Sequence, residues 1–185
     1  MSPQYVTARL NDRARPMDRG DIYEDPLHEV LKSRELGEVT GGGSQLGPTG
    51  EIMYCDLEIQ VNDTTDATLA VIAETLSGLG APKGSRIIVP EQGREIPFGK
   101  NEGLAVYLNG TDLPVEVYEQ SDVNFVWSEF ERLLHPEGSI HSYWEGERET
   151  ALYMYGPSFR EMNARLAEFM ASYALCQKAR VEQIS

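Results

Sequence analysis

The chain has 185 residues, 41 % hydrophobic and 25 % charged, and its 16 Lys+Arg against 30 Asp+Glu give a net charge of −14. That excess of carboxylate argues against nonspecific nucleic-acid binding, which relies on Lys and Arg neutralising phosphates, and against an anionic membrane surface. Residues 1–91 hold 8 Lys+Arg and 15 Asp+Glu, and residues 92–185 hold 8 and 15 again, so the charge is not confined to a tail.

No apolar run approaches the roughly 18 residues that span a membrane. MSPQYVTARL has no basic start followed by an apolar core, so no signal peptide is expected. Cys55 and Cys176 lie far apart and form no CxxC pair. They are expected to be free thiols in a reducing cytoplasm.

In chain order, QYVTARL (4–10) alternates as a short strand. A polar loop follows, and Asp25-Pro26 reads as the cap and first residue of a helix with Leu27, Val30 and Leu31 on its apolar stripe. GEVTGGGSQ is a second strand running into glycines. Glu51 to Val61 is a third, with Met53, Cys55, Leu57, Ile59 and Val61 on one face and Tyr54, Asp56, Glu58 and Gln60 on the other. Asp63 or Thr64 caps a helix whose stripe is Leu69, Ile72, Ala73, Leu76 and Leu79. Gly80 ends it, and Ser85 to Val89 is the fourth strand.

After the turn-rich EQGREIPFGK the plan restarts. Leu104 to Leu108 is a strand and NGTDLPVEVYEQ a polar loop. Ser121 or Asp122 caps a helix carrying Val123, Val126, Trp127, Phe130 and Leu134. Ser139–Glu145 and Thr150–Tyr155 form a hairpin. Glu149 to Ser185 then reads strand, helix, strand, with Phe159, Met162, Leu166, Phe169, Met170 and Tyr173 on one helical face. The chain is therefore an α+β protein: a tandem duplication of a ferredoxin-like βαββαβ unit, with antiparallel sheets covered by helices on one face. The boundaries are 1–91 for the first unit, 92–102 for a connector and 103–185 for the second unit.

Such a unit leaves one sheet face uncovered. In the second half that face carries Tyr107, Tyr153 and Tyr155, with His141 and Tyr143 on the neighbouring strand; in the first it carries Tyr5, Thr7, Tyr54, Asp56, Glu58 and Gln60. Exposed aromatics on this fold can stack RNA bases, but the basic residues that would hold the phosphates are missing. Gly41-Gly42-Gly43-Ser44 leads into a strand rather than a helix and lacks a following Lys-Ser/Thr, so it reads as a glycine bulge and not a phosphate loop. Arg13, Arg15 and Arg19 could clamp an anion, but the interleaved Asp12, Asp18 and Asp21 point to internal ion pairing.

His28, His135 and His141 form no HxxH, HxH or HExxH pattern, and no metal or cofactor is expected. His141, beside Tyr143 and Glu145, is the best candidate for a general acid or base. Cys55 reads as buried packing, and Cys176 as an exposed loop thiol.

These features point to a non-enzymatic, cytoplasmic, acidic protein-binding module. Its concrete form is an immunity or antagonist protein that masks a basic, nucleic-acid-cleaving toxin. The expected contacts are Asp56, Glu58, Glu145, Glu147 and Glu149, with Tyr153 and Tyr155 as anchors. The alternative is a small-ligand binder or enzyme with a pocket between the two sheets, lined by Tyr54, Tyr107, His141, Tyr143 and Tyr153.

Overall fold

In the computed structural model, which describes residues 3–185, the alternating segments pair into two antiparallel sheets. The chain divides into two units, Met1–Asn101 and Glu102–Ser185. The first contains β1 (Gln4–Leu10), β2 (Gly37–Leu46), β3 (Ile52–Val61), β4 (Ser85–Val89) and β5 (Arg94–Phe98), in the order β2-β3-β1-β4-β5. The second contains β6 (Glu102–Asn109), β7 (Ser139–Glu145), β8 (Glu149–Gly156) and β9 (Arg180–Gln183), in the order β7-β8-β6-β9. In both units the first and third strands are central and the second and fourth flank them. This is a duplicated ferredoxin-like arrangement.

The segment expected to connect the halves extends the first sheet. β5 pairs antiparallel with β4 through a 3₁₀ turn at Pro90–Gln92 and a left-handed Gly93 at φ 57°. Half-buried Ile96 and Phe98 pack on the first core, which explains why these residues are ordered as a strand. Gly99 follows at φ +91°, and a Cβ there would lie 2.0 Å from the Pro82 carbonyl oxygen, so the close approach of two backbones requires glycine.

Six α-helices occur among the described residues: α1 (Pro16–Arg19), α2 (Asp25–Ser33), α3 (Asp66–Gly78), α4 (Val115–Gln120), α5 (Val123–Leu134) and α6 (Phe159–Ser172). Asp25 is not a cap. The helix has already begun at Pro16 and passes through a π-helical turn, Gly20–Glu24, before α2. The register changes where it must: the Asp25 N–H donates to the Gly20 carbonyl, and the next residue, Pro26, has no N–H to give. The other starts are capped as their side chains allow. Thr65, rather than Asp63 or Thr64, caps α3; Asp122 accepts from the Asn124 N–H at 2.8 Å; and Ser158 accepts from the Glu161 N–H. The loop expected before α5 contains α4, whose Tyr118 hydroxyl accepts from the Leu113 N–H and donates to the Asn109 carbonyl.

The first core lies between the sheet and α2 and α3, around Leu27, Leu31, Leu69, Ile72, Leu76 and the inward residues of β1, β3 and β4. The second joins Val126, Phe130 and Leu134 of α5 and Met162 and Leu166 of α6 to Leu104, Val106, Leu152 and Met154. Among the described residues, no helix is long and apolar enough to cross a membrane.

β-Bulges alter the side-chain alternation at several points. Ile140 faces Met154 and Ser142 faces Tyr153, so β7 carries one extra residue, His141. Likewise Leu46 faces Ile52 and Gln45 faces Tyr54, which leaves Met53 as the extra residue of β3. This is why Met53 is 43 % exposed instead of sharing the core face with Cys55 and Leu57.

Candidate functional site

The bulge at His141 separates residues that simple alternation would place together. Beyond it Tyr143 faces Leu152 and Glu145 faces Thr150, on the side of the sheet that α5 and α6 cover. His141 remains with Tyr155, ring centroids 4.7 Å apart, so it does not share a face with Tyr143 and Glu145. Tyr107, Tyr153 and Tyr155 do cluster on the opposite sheet face with Ala105 and Ala151, and the Tyr107 and Tyr153 rings meet edge to face at 6.5 Å. At 2 %, 1 % and 1 % exposure these tyrosines are buried, which corrects the expectation that Tyr153 and Tyr155 act as surface anchors. Tyr54 belongs to the first unit, under the Arg9 guanidinium at 4.2 Å.

The expected acidic contacts divide into paired and unpaired groups. Asp56 takes two hydrogen bonds from Arg9, each 2.8 Å. Glu149 is held by Arg180, which also lies 3.8 Å over the Tyr107 ring. Neighbouring carboxylates raise the Arg180 pKa further, so the guanidinium stays charged. Glu58, Glu145 and Glu147 are exposed carboxylates with no ion pair among the described residues.

The arginines of the first loop pair internally: Arg13 with Glu51, Arg15 with Asp18, and the buried Arg19 with Glu24. Arg19 also donates to the Gly43 carbonyl and the Ser44 hydroxyl. A Cβ on Gly42 would sit 2.9 Å from Arg19 Nε and from Glu24 Oε1, so the glycine run lets this ion pair lie against the strand. Cys55 is buried, with its thiol pKa raised well above the usual value by desolvation and by Asp12. Cys176 is buried too, because a 3₁₀ turn at Ala174–Cys176 folds it and Leu175 into the second core; burial pushes its pKa to about 11. Neither thiol is poised as a nucleophile. Among the described residues no cluster of three His, Cys, Asp or Glu side chains is placed to hold a metal ion.

The bulge also opens a cleft within the second unit. Between the first turns of α5 and strands β7 and β8 lies a cavity of about 240 Å³, lined by Val123, Asn124, Trp127, Tyr143, Glu145, Thr150 and Leu152. Trp127 and Tyr143 meet edge to face at 6.1 Å and form its aromatic wall. Val123 is 40 % exposed at the mouth, and Phe125, two residues on, is 46 % exposed while touching Phe169 and Tyr173. Cofactor-sized ligands occupy about 300–1,000 Å³, so this cleft suits a single large side chain. Helical period puts Trp127 on the core face, and simple alternation of β7 puts Tyr143 and Glu145 on the other side of the sheet. The periodicity of α5 and the aromatic content of β7 were legible, but their juxtaposition depends on the bulge.

No protein-family model matches the chain, and no curated protein matches it. Among solved structures it is similar to TiaS in complex with a tRNA, AMPCPP and agmatine, at 11 % identity and a TM-score of 0.35 over 89 % of this chain, which spans 56 % of that one. It is also similar to the first two RRM domains of the yeast poly(U)-binding protein, at 11 % identity and a TM-score of 0.25 over 97 % of this chain and 99 % of that one. Likenesses at these scores carry no argument about what this chain binds.

Proposed function

We propose that the chain is a non-enzymatic protein-binding module for a basic partner, with an antagonist of a nucleic-acid-cleaving toxin as its concrete form. The observation that supports this reading is the acidic surplus of the second unit, which holds 14 Asp+Glu against 6 Lys+Arg over residues 102–185. Its cations are largely engaged: Arg132 with Glu129, Arg148 with Asp112, Arg165 with Glu137, and Arg180 with Glu149. Glu116, Glu119, Glu131, Glu145 and Glu147 are exposed. Each exposed charge contributes little alone, but a field of one sign accelerates capture of a partner of the opposite sign.

The test immobilises the chain, passes extract of its source cells over it at low ionic strength, and elutes with rising salt. A basic protein released by salt is the expected result. Its purified form should then associate about tenfold more slowly with a Glu145→Lys, Glu147→Lys variant. Retention of no basic protein, or retention indifferent to salt, removes the reading.

A further inference from the structure

We propose that the cleft between α5 and the β7–β8 hairpin is the docking point for an arginine or lysine side chain projecting from that basic partner. This rests on the protein-binding reading above and assigns it a place. The argument begins with shape: the cleft holds about 240 Å³, its wall is the Trp127–Tyr143 pair, and Val123 and Leu152 supply apolar surface. A long cationic side chain matches this arrangement, with a methylene stem for the apolar lining and a charged head for an aromatic face.

The sign of the field favours a cation. The first turn of α5 brings roughly half a positive charge to the cleft, which by itself would favour an anion. The Asp122 carboxylate, which caps that end and accepts from the Asn124 N–H at 2.8 Å, offsets it. Glu145 lines the cleft, and exposed Glu131 follows Trp127 by one helical turn on α5, leaving the site net negative. Arg148, in the neighbouring turn, is directed to Asp112, 3.8 Å away, and does not line the cleft.

The probe is a capped Gly-Arg-Gly-Arg-Gly peptide titrated into the isotopically labelled full chain at low salt, with its citrulline counterpart as an uncharged isostere. The expected result is a set of amide shifts confined to Val123, Asn124, Tyr143 and Glu145, together with the Trp127 indole N–H, from the arginine peptide and not from the citrulline peptide. Glu145→Gln should weaken binding about threefold, a typical effect for one exposed charge. Trp127→Leu should weaken it about threefold or more while Trp127→Phe retains most of it, because the ring face and not the volume holds the cation. Both Trp127 variants are compared at matched far-UV circular dichroism.

Shifts scattered over other acidic surfaces, or binding indifferent to Glu145→Gln, overturn the cleft assignment and leave the acidic-module reading standing. Absence of any shift at about 10 mM peptide, well above a millimolar dissociation constant, also overturns the assignment. If the salt-eluted basic partner is absent as well, the underlying reading falls with it.

Discussion

Phe125 and Phe130 lie five residues apart on α5 and both meet the Phe169 ring at 5.9 Å, yet their removal should differ sharply in cost. Phe130 is 0 % exposed at the centre of the second core, among Val126, Leu134, Met162 and Leu166. Truncation to alanine there removes a whole buried ring and leaves a cavity, which costs about 3–5 kcal/mol. Phe125 is 46 % exposed, so about half its transfer energy is already forgone. Its loss should cost about 1–2 kcal/mol, mostly from the ring contacts with Phe169 and Tyr173. The assay is equilibrium unfolding in urea followed by far-UV circular dichroism. With a slope near 2 kcal/mol per molar, a difference of about 2 kcal/mol separates the two midpoints by about 1 M. Equal midpoints, or a larger loss for Phe125→Ala, would refute the placement of Phe130 inside and Phe125 at the rim.

Three further outcomes are expected. Gly99→Ala should destabilise the first unit by at least about 1–2 kcal/mol, seen as a lowered thermal midpoint, because the residue sits at φ +91° and its new methyl would meet the Pro82 carbonyl. Alkylation of Cys176 by iodoacetamide, followed by mass spectrometry, should rise with pH toward its pKa of about 11 and not level off near the ordinary thiol value. Since that pKa is raised in the folded chain, the associated stability is complete below the unfolded thiol pKa and declines as pH climbs toward 11. Asp63 behaves in the opposite sense. The Thr65 hydroxyl, the Thr65 N–H and the Thr68 hydroxyl donate to it and hold its pKa down, so its contribution is present above the ordinary carboxylate range and lost as pH falls through the folded value. Asp63→Asn should therefore flatten the acid limb of the urea midpoint measured from about pH 5 to pH 2.

The fold was legible because period-2 alternation in Gln4–Leu10 and Cys55–Val61 and helical spacing in α3, α5 and α6 each define one buried face, and because Leu104, Val106 and Leu108 alternate toward the second core even though β6 is buried on both faces. The misplacements have local causes. Asp25-Pro26 carries the composition of a helix start, yet the preceding π-helical turn absorbs the proline without ending the helix. Val115 and Val117 gave α4 a weak helical signal, since β-branched residues lose side-chain freedom in a helix. β5 was hidden among turn residues and holds its place through Ile96 and Phe98. Cys176 sits in a short polar connection, and its burial depends on tertiary packing that no local pattern records. The candidate cleft was illegible as a unit: its lining residues fall on separate elements, and nothing in the sequence announces an extra residue at His141.

That extra residue makes the register of β7 a more severe constraint than its composition. Closing the bulge at constant length would carry Tyr143 and Glu145 across the sheet and bring Ser142 and Trp144 under the helices, whereas deleting His141 would restore simple alternation with Ser142 still opposite Tyr153 and Tyr143 still opposite Leu152. In the first case the cleft would be dismantled without any of its lining side chains being replaced. Variation in this hairpin should accordingly tolerate exchanges at exposed positions and loss of the extra residue, and reject a one-residue slip of register ahead of Tyr143. A transplant of the cleft onto another ferredoxin-like sheet would have to keep Tyr143 opposite Leu152 and Glu145 opposite Thr150, with or without the extra residue.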